Sequence, residues 1–321
     1  MENPSEFKLL GSGSYGKVVS WKDTACKIFT DNESFLHEAA ISLYLTGLPG
    51  LITTISIDED KKVIMMDKYD RSLYYWIRKN TLNDNFDDRC KILLGILLGL
   101  NSIHQLGLMH GDIKPNNILV NDDNSVVLAD FGNTASPLDV NLEMMTQFYA
   151  PPEKFSTPYA DIYAFGIILL ELWDFNMLAS LRQYRSSYKI YNTILKNKIQ
   201  SSLNLPSLMK EISLKCIDIN PEERPTASEL YNVMSMMDIN FEVPPIKYHL
   251  RTFERKNFIN EIDIKIFYQT LNVLRMYCIS LKLRSPERTE ALLEYWIRTR
   301  SIDPEDYGFH RADPKTIKGG N

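Results

Sequence analysis

Short apolar stretches bounded by polar or turn-forming residues occur in the early part of the chain, and such stretches are typical of β-strands. Four such stretches lie between turn-forming residues: Phe7–Leu10, Lys17–Trp21, Ala25–Phe29 and Lys62–Asp67. A longer segment, Ser34–Thr46, predicts a helix that interrupts the strands. The N-terminal part of the chain therefore predicts a small unit rich in strands.

From Leu73 onward the apolar spacing becomes helical. The predicted helices are Leu73–Lys79, Arg89–Leu106, Pro158–Trp173, Ser187–Lys198, Pro206–Cys216 and Thr226–Met236. Two short apolar runs, Ile118–Val120 and Val126–Leu128, flank the turn Asn121-Asp122-Asp123-Asn124 and predict a hairpin. A larger helical unit therefore follows the strand-rich one, with this hairpin near the junction.

The pattern changes again beyond about Asp238, where Pro244-Pro245 marks a break. Two further helices are predicted at Phe258–Leu281 and Pro286–Arg300. Their apolar positions favour the core of a small helical domain, or a face packed on the rest of the chain. A regulatory or partner-docking module is the alternative, and a cyclin-like helical fragment is one form of it.

Composition narrows the class of protein. The chain has 321 residues, 44% hydrophobic and 24% charged, and a net charge of -5. This balance is typical of a globular protein and indicates no nucleic-acid partner. The polar start, Met1-Glu2-Asn3-Pro4, does not resemble a signal peptide, and the most apolar stretches are too short to span a membrane. We therefore expect a cytoplasmic protein without a membrane partner.

The four cysteines agree with that expectation. They are widely spaced, with no Cys-x-x-Cys pair, and lie at Cys26, Cys90, Cys216 and Cys278. Such spacing favours reduced thiols and makes a zinc site improbable.

One stretch, directly before the predicted hairpin, contains several side chains that can take part in catalysis or bind a metal. The sequence is His110-Gly111-Asp112-Ile113-Lys114-Pro115-Asn116-Asn117, followed after the hairpin by Asp130-Phe131-Gly132. Phosphoryl transfer assisted by Mg²⁺ uses such a set: a carboxylate near the attacking hydroxyl, a cation near the phosphoryl group, and oxygen ligands for the metal. The stretch resembles the catalytic and metal-binding loops of eukaryotic-type protein kinases.

The resemblance assigns a role to each residue of this set. Asp112 would orient the substrate hydroxyl and accept its proton, and Lys114 would stabilise charge on the transferring phosphoryl group. Asn117 and Asp130 would hold Mg²⁺. His110 would pack under Phe131 as a structural residue.

A glycine-rich run between the first two strands extends the resemblance to ATP binding. The run is Gly11-Ser12-Gly13-Ser14-Tyr15-Gly16, and Val18 follows it. Glycines let backbone N–H groups approach phosphate oxygens without a side-chain clash. Thr24-Ala25-Cys26-Lys27 resembles the family's Val-Ala-Ile-Lys strand, so Lys27 would hold the α- and β-phosphates. The short interval to Lys27 predicts a tight hairpin.

Lys27 needs an acidic partner on the following helix. Glu38 lies inside the helical pattern and is the preferred partner, and Glu33 near the helix start is the alternative. Four residues after Glu38 the family packs an apolar side chain against the Phe of its metal-binding loop, whereas this chain has Ser42.

The resemblance also implies an adenine pocket. Val18 and Ala25 would cover one face of the ring and Leu119 the other. Met66 would be the gatekeeper, and the backbones of Asp67 and Tyr69 would hydrogen-bond adenine.

Motifs after the hairpin point to a protein substrate. Tyr149-Ala150-Pro151-Pro152-Glu153 resembles the end of a kinase activation segment, and Asp161 begins a pattern like that of the family's central helix. Arg224 matches the arginine that pairs with the glutamate, here Glu153. Thr146 lies where Ser/Thr kinases have a threonine that bonds the catalytic Asp and Lys, and Lys114 also resembles Ser/Thr kinases.

Gly111 departs from the family, whose His-Arg-Asp has an arginine that gathers an activation-segment phosphate. Glycine cannot do this, which suggests that phosphorylation of the usual type is not needed. His-Gly-Asp also occurs in aminoglycoside and choline kinases, so a small-molecule kinase is one alternative. A pseudokinase is another.

The sequence thus predicts an α+β, bilobal kinase fold with a β-rich N-lobe and a mainly helical C-lobe. The predicted kinase domain is 1–237, with lobes at about 1–67 and 70–237, and 238–321 is a helical extension that could bind a regulatory partner. The predicted activity is transfer of the γ-phosphoryl of Mg-ATP to Ser or Thr of proteins.

Overall fold

The fold is taken from a computed structural model of the chain. It describes residues 7–13, 16–79, 85–134, 148–153, 157–181, 184, 187–237 and 239. The predicted helices of the extension, and Cys278, lie outside these residues.

The N-lobe is a five-stranded antiparallel sheet in the order β1-β2-β3-β5-β4, with one helix. Its elements are β1 Phe7–Gly13, β2 Gly16–Trp21, β3 Thr24–Phe29, α1 Asn32–Leu45, β4 Thr54–Asp58 and β5 Val63–Asp67. Trp21 pairs with Thr24, so a two-residue turn joins β2 to β3, as the short interval before Lys27 predicts. Asp31 caps α1 by accepting a hydrogen bond from the Ser34 N–H at 2.8 Å. These features fix the register of Lys27 relative to α1.

A three-stranded sheet lies at the junction of the lobes, in the order β6-β7-β8. Its strands are β6 Arg71–Ser72, β7 Ile118–Val120 and β8 Val126–Leu128. Leu128 exchanges backbone hydrogen bonds with the N-lobe, donating to Gly50 O at 2.8 Å and accepting from Ile52 N–H at 2.9 Å. This link ties the residues after β8 to both lobes.

The C-lobe is helical. Its helices are α2 Leu73–Lys79, α3 Phe86–His104, α4 Pro158–Trp173, α5 Phe175–Leu181, α6 Tyr188–Ser201, α7 Ser207–Cys216 and α8 Ala227–Ser235. Every residue of α4 from Ala160 to Trp173 is buried, so α4 is the central helix, and α3, α5 and α7 pack against it. The first turn of this helix carries Asp161, which is fully buried.

The predicted α+β, bilobal arrangement is confirmed, and the differences concern short elements and some bounds, since β1 continues to Gly13 and α6 to Ser201, each three residues past the predicted end. The strands β4 and β6 and the helix α5 have no counterpart in the prediction. Helix α3 begins at Phe86 and not at Arg89, because the Asn85 side chain accepts hydrogen bonds from two N–H groups of its first turn.

Two further properties bear on the setting of the protein. Within the described ranges, no helix combines the length and the hydropathy that crossing a membrane requires. Cys26, Cys90 and Cys216 are buried free thiols, and burial raises the pKa of Cys90 to about 12, which makes that thiol a poor nucleophile.

Candidate active site

Lys27 stands at the centre of a buried charge cluster between the N-lobe sheet and α1. Its Nζ donates hydrogen bonds to Glu38 Oε1 at 2.7 Å and Oε2 at 2.6 Å, and to Asp130 Oδ1 at 2.7 Å. Glu38 is 3% exposed, whereas Glu33 is exposed in the first turn of α1. Strand β3, helix α1 and the residues after β8 therefore meet at one ammonium group.

The three groups of this cluster perturb one another's ionisation. Burial alone would lower the Lys27 pKa, but the Asp130 and Glu38 carboxylates outweigh burial and raise it. Burial opposes ionisation of Asp130 too, yet the Lys27 ammonium holds the pKa of that carboxyl below its usual value. Burial raises the pKa of Glu38 to about 7, and Lys27 only partly offsets this. The Lys27–Asp130 pair is therefore ionised near neutrality, while Glu38 lies close to its titration midpoint.

Asp112, Lys114 and Asn117 form a second cluster on the loop before β7. Lys114 Nζ contacts Asp112 Oδ2 at 2.5 Å. The Asn117 amide donates to Asp112 Oδ2 and to the Asp112 backbone oxygen, both at 3.0 Å. Asp112 is 8% exposed, so its carboxylate has a fixed orientation and a lysine beside it. Such a carboxylate can orient a hydroxyl and receive its proton.

Asn117 and Asp130 are suitable ligands for a hard divalent cation. Because Asn117 Nδ2 serves Asp112, the amide oxygen Oδ1 is the atom left for a ligand. Asp130 Oδ1 accepts a hydrogen bond from Lys27 Nζ, so Oδ2 is the oxygen left for a ligand. The Asp130 side chain is 41% exposed. Pairing of β7 with β8, and a hydrogen bond from Ala129 N–H to Asn117 O at 2.9 Å, bring the two residues to neighbouring positions. Amide and carboxylate oxygens fit Mg²⁺ that is shared with phosphates.

The loop that carries Asp112 is anchored on the central helix by Asp161. This fully buried carboxylate accepts the His110 N–H at 2.7 Å, the Gly111 N–H at 3.0 Å and a hydrogen bond from the His104 ring at 2.9 Å. Three donors compensate for the burial of its charge. His104 was not identified from the sequence, because it lies 57 residues from Asp161 and only the fold brings the two together.

His110 contributes a second link, from the catalytic loop to the residues after β8. Its ring lies 5.7 Å from that of Phe131, and its Nε2 is 3.2 Å from Ala129 O. Both rings are buried, as a structural role for His110 requires. Ser42 is also buried, with 4% of its surface exposed.

The glycines at the end of β1 and at the start of β2 differ in whether packing within the protein requires a glycine. A Cβ at Gly11 or Gly13 would meet no atom within 4 Å, so packing within the protein does not demand glycine there. A Cβ at Gly16 would lie 2.0 Å from Ile28 O, so this glycine allows β3 to approach. Ser12 is exposed beside them, and Ser14 and Tyr15 lie outside the described residues. Gly11 and Gly13 therefore leave open space where a phosphate could approach.

The residues assigned to adenine lie on the strands that border the cleft. Val18 pairs with Lys27, Ala25 pairs with Met66, and Leu119 pairs with Ser72. Val18, Met66 and Leu119 are partly buried, and Ala25 is buried. The Asp67 N–H donates to Thr53 O at 3.1 Å, so a nucleotide would have to use the Asp67 carbonyl. Tyr69 follows in the link between the lobes and is half-buried.

Glu153 and Arg224 form a buried ion pair beneath the cleft. The guanidinium donates to Oε1 at 2.7 Å and to Oε2 at 2.8 Å, and the two side chains are 4% and 0% exposed. Close by, the Tyr149 hydroxyl donates to Glu171 Oε2 at 2.8 Å, a contact that the sequence did not indicate. Both contacts hold the stretch before α4 on the helical core. Thr146 lies outside the described residues.

Comparisons with known proteins agree with this geometry. A family model described as a protein kinase domain matches residues 5–234. A probable cell division protein kinase of Encephalitozoon cuniculi is 27% identical over 260 residues, which cover 70% of this chain and 94% of the relative. The probable serine/threonine-protein kinase kinX of Dictyostelium discoideum is 21% identical over 275 residues, 78% of this chain and 25% of the relative.

A third relative matches a shorter stretch more closely. Mitogen-activated protein kinase kinase kinase 1 of Arabidopsis thaliana is 36% identical over 147 residues, 43% of this chain and 24% of the relative. The chain thus spans nearly all of one relative and about a quarter of the other two.

Proposed function

Since this chain belongs to the protein kinase family, we propose that it transfers the γ-phosphoryl group of magnesium-bound ATP to serine and threonine hydroxyls of protein substrates. The contacts of Lys27 with the buried Glu38 and with Asp130 carry the proposal. They would keep the phosphate-binding cation beside the metal-binding carboxylate, as phosphoryl transfer requires.

Each residue of the cleft has a task in this reaction. Lys27 binds the α- and β-phosphates, with Glu38 holding its ammonium in place. Asp112 orients the acceptor hydroxyl and takes its proton, and Lys114, 2.5 Å from that carboxylate, lowers the cost of negative charge near the γ-phosphoryl group. Asn117 Oδ1 and Asp130 would hold magnesium, which would supply positive charge to neutralise the phosphates.

Serine and threonine as acceptors are supported by Lys114 in the sequence Asp112-Ile113-Lys114-Pro115 and by the name of one relative. The relative from Dictyostelium is named as a probable serine/threonine-protein kinase. Thr146, which would bond Asp112 and Lys114, belongs to the same proposal.

A small-molecule kinase of the same fold is the second candidate, because His110-Gly111-Asp112 is found in that class as well. The ion pair of Glu153 with Arg224 favours a protein substrate, since it supports the end of an activation segment. A pseudokinase is disfavoured because Lys27, Asp112, Asn117 and Asp130 are all present and gathered in one cleft.

The decisive experiment offers several acceptors to the full chain together with Mg-ATP. A peptide library containing serine, threonine and tyrosine is compared with choline and an aminoglycoside, and Asp112→Asn serves as the inactive control. The proposal expects incorporation into serine and threonine peptides that the variant abolishes. Phosphorylation of the small molecules alone would contradict it, as would equal rates for the two proteins.

The division of the chain is also part of the proposal. We propose that residues 1–237 form the kinase domain and that 238–321 are a helical extension, for which binding of a regulatory partner is the alternative to a purely structural role. The family match, which ends at residue 234, supports that boundary. Comparing the activity of the full chain with that of residues 1–237 tests regulation, because a purely structural extension would leave the rate per folded molecule unchanged.

We propose a cytoplasmic setting for the same activity. The buried free thiols of Cys26, Cys90 and Cys216 support it, because a reducing compartment preserves such groups. Fractionation of cells that produce the protein would test this, and recovery in a secreted fraction would contradict it.

A further inference from the structure

Gly111 brings the catalytic loop into direct backbone contact with the residues that follow Asp130. Its φ is +78°, a left-handed conformation that side chains disfavour. A Cβ at this position would lie 2.5 Å from Asn133 O and 3.3 Å from the Asn133 carbonyl carbon. The torsion and the contact are independent reasons for glycine here.

Further contacts join the same two segments. Thr134 is fully buried, and its hydroxyl donates to His110 O at 3.2 Å. The ring of Phe131 packs on that of His110. Because Asp161 holds the His110 and Gly111 N–H groups, residues 131–134 rest on a backbone that is fixed to the central helix.

The contacts of residues 131–134 with His110 and Gly111 determine where Asp130 lies. Asp130 directly precedes the short helix Phe131–Asn133 and itself has a φ of +67°, so its backbone leaves little freedom to compensate for a shift of its neighbours. Its Oδ1 reaches Lys27 at 2.7 Å. A displacement of Asn133 would therefore move the carboxylate that meets Lys27 and is available to magnesium.

We propose that Gly111 is a positioning residue: its direct contact with Asn133 fixes residues 130–134 and so places Asp130 for magnesium. This inference rests on the proposed kinase activity and adds a role for the residue that departs from the family pattern. The contact lies between segments of the chain itself and involves no phosphate.

The contact predicts the size of the effect. With an alanine at position 111, Asn133 O would have to retreat from 2.5 Å to the ordinary contact distance of 3.4 Å, which is 3.4 - 2.5 = 0.9 Å. A misplacement of about 1 Å can lower a catalytic rate by about a hundredfold. Lys27 is also held by both carboxylate oxygens of Glu38, so the binding of a nucleotide without metal should change much less.

The chain offers a matched control for the left-handed torsion. Gly47 has a φ of +80°, and a Cβ there would meet nothing within 4 Å. Gly47→Ala therefore carries the same torsional penalty as Gly111→Ala, without the contact to Asn133. Gly47 lies between α1 and β4, away from the residues assigned to catalysis.

The test compares the full-length wild type, Gly111→Ala and Gly47→Ala by two measurements. The first is the affinity for a fluorescent ATP analogue with and without Mg²⁺, and the second is kcat for peptide phosphorylation. Gly111→Ala is expected to lose most of the Mg²⁺-dependent gain in affinity and to lower kcat by about ten- to a hundredfold. Gly47→Ala is expected to match the wild type in both.

Equal Mg²⁺ dependence in Gly111→Ala and Gly47→Ala would overturn the inference. If Gly111→Ala does not fold, Thr134→Val decides, because it removes the hydroxyl that bonds His110 O without adding bulk. The expected result is a rise of about fivefold in the Mg²⁺ concentration for half-maximal nucleotide binding. No rise would refute the claim that these contacts place Asp130 for magnesium. A wild type that binds Mg-nucleotide but transfers no phosphoryl group would refute the proposed function and leave this binding test valid.

Discussion

Replacement of Arg224 by methionine would expose how strongly the helical lobe depends on one ion pair. The guanidinium is 0% exposed and makes a bidentate contact with Glu153 at 2.7 and 2.8 Å. It also donates to Asp218 O and Tyr159 O, each at 2.9 Å. Removal of one partner of a buried pair costs about 3–5 kcal/mol, because the remaining charge is stranded. The two carbonyls that lose a donor favour the upper end, about 5 kcal/mol.

Urea unfolding at neutral pH measures this cost, with Glu153→Gln and the double variant Glu153→Gln/Arg224→Met completing a double-mutant cycle. The double variant should be less destabilised than the sum of the single variants, because it contains no stranded charge. Lys215→Met provides the contrast: its partner Glu211 is exposed, and such a pair contributes within about 0.5 kcal/mol. Additive losses in the cycle would refute the argument from stranded charge.

Two further predictions concern the active site. Because burial raises the Glu38 pKa to about 7, Glu38 takes up a proton and loses its ion pair with Lys27 as the pH falls through about 7; the rate should fall with it, and a profile as steep in Glu38→Gln would contradict this cause. Gly111 cannot gather a phosphate, so phosphatase treatment should leave peptide phosphorylation unchanged; activity that returns only after phosphorylation of the activation segment would contradict the prediction.

The parts of the fold that sequence could predict are those with a strong local pattern. The hairpin of β7 and β8 and the buried helix α4 follow from apolar runs and turn residues, and the structure has both with the predicted bounds. Strand β6 has only two residues, too few for the period of a strand to stand out. The early start of α3 at Phe86 was predictable in principle, since Asn85 lies before two Asp residues and Asn is a typical helix cap.

The candidate site likewise contains residues that the sequence predicted and contacts that only the fold reveals. Asp112, Lys114, Asn117 and Asp130 were named from the resemblance of their motifs to those of protein kinases, and the structure gathers them at the junction of the lobes. The contact of Gly111 with Asn133 depends on a backbone torsion, which residue types alone do not specify. The bond of His104 with Asp161 likewise depends on how α3 crosses α4, and no local pattern encodes that.

The central claim is that Asp112 serves phosphoryl transfer to a protein hydroxyl, and one measurement tests it most directly. Transfer from γ-labelled ATP to a serine peptide is followed for the full-length wild type and for Asp112→Asn, with nucleotide affinity measured on both. The account predicts that the variant binds Mg-nucleotide as the wild type does but transfers about a hundred- to ten-thousandfold more slowly, the range for loss of a positioned acid–base group. Equal transfer rates, or no transfer by either protein despite nucleotide binding, would contradict it.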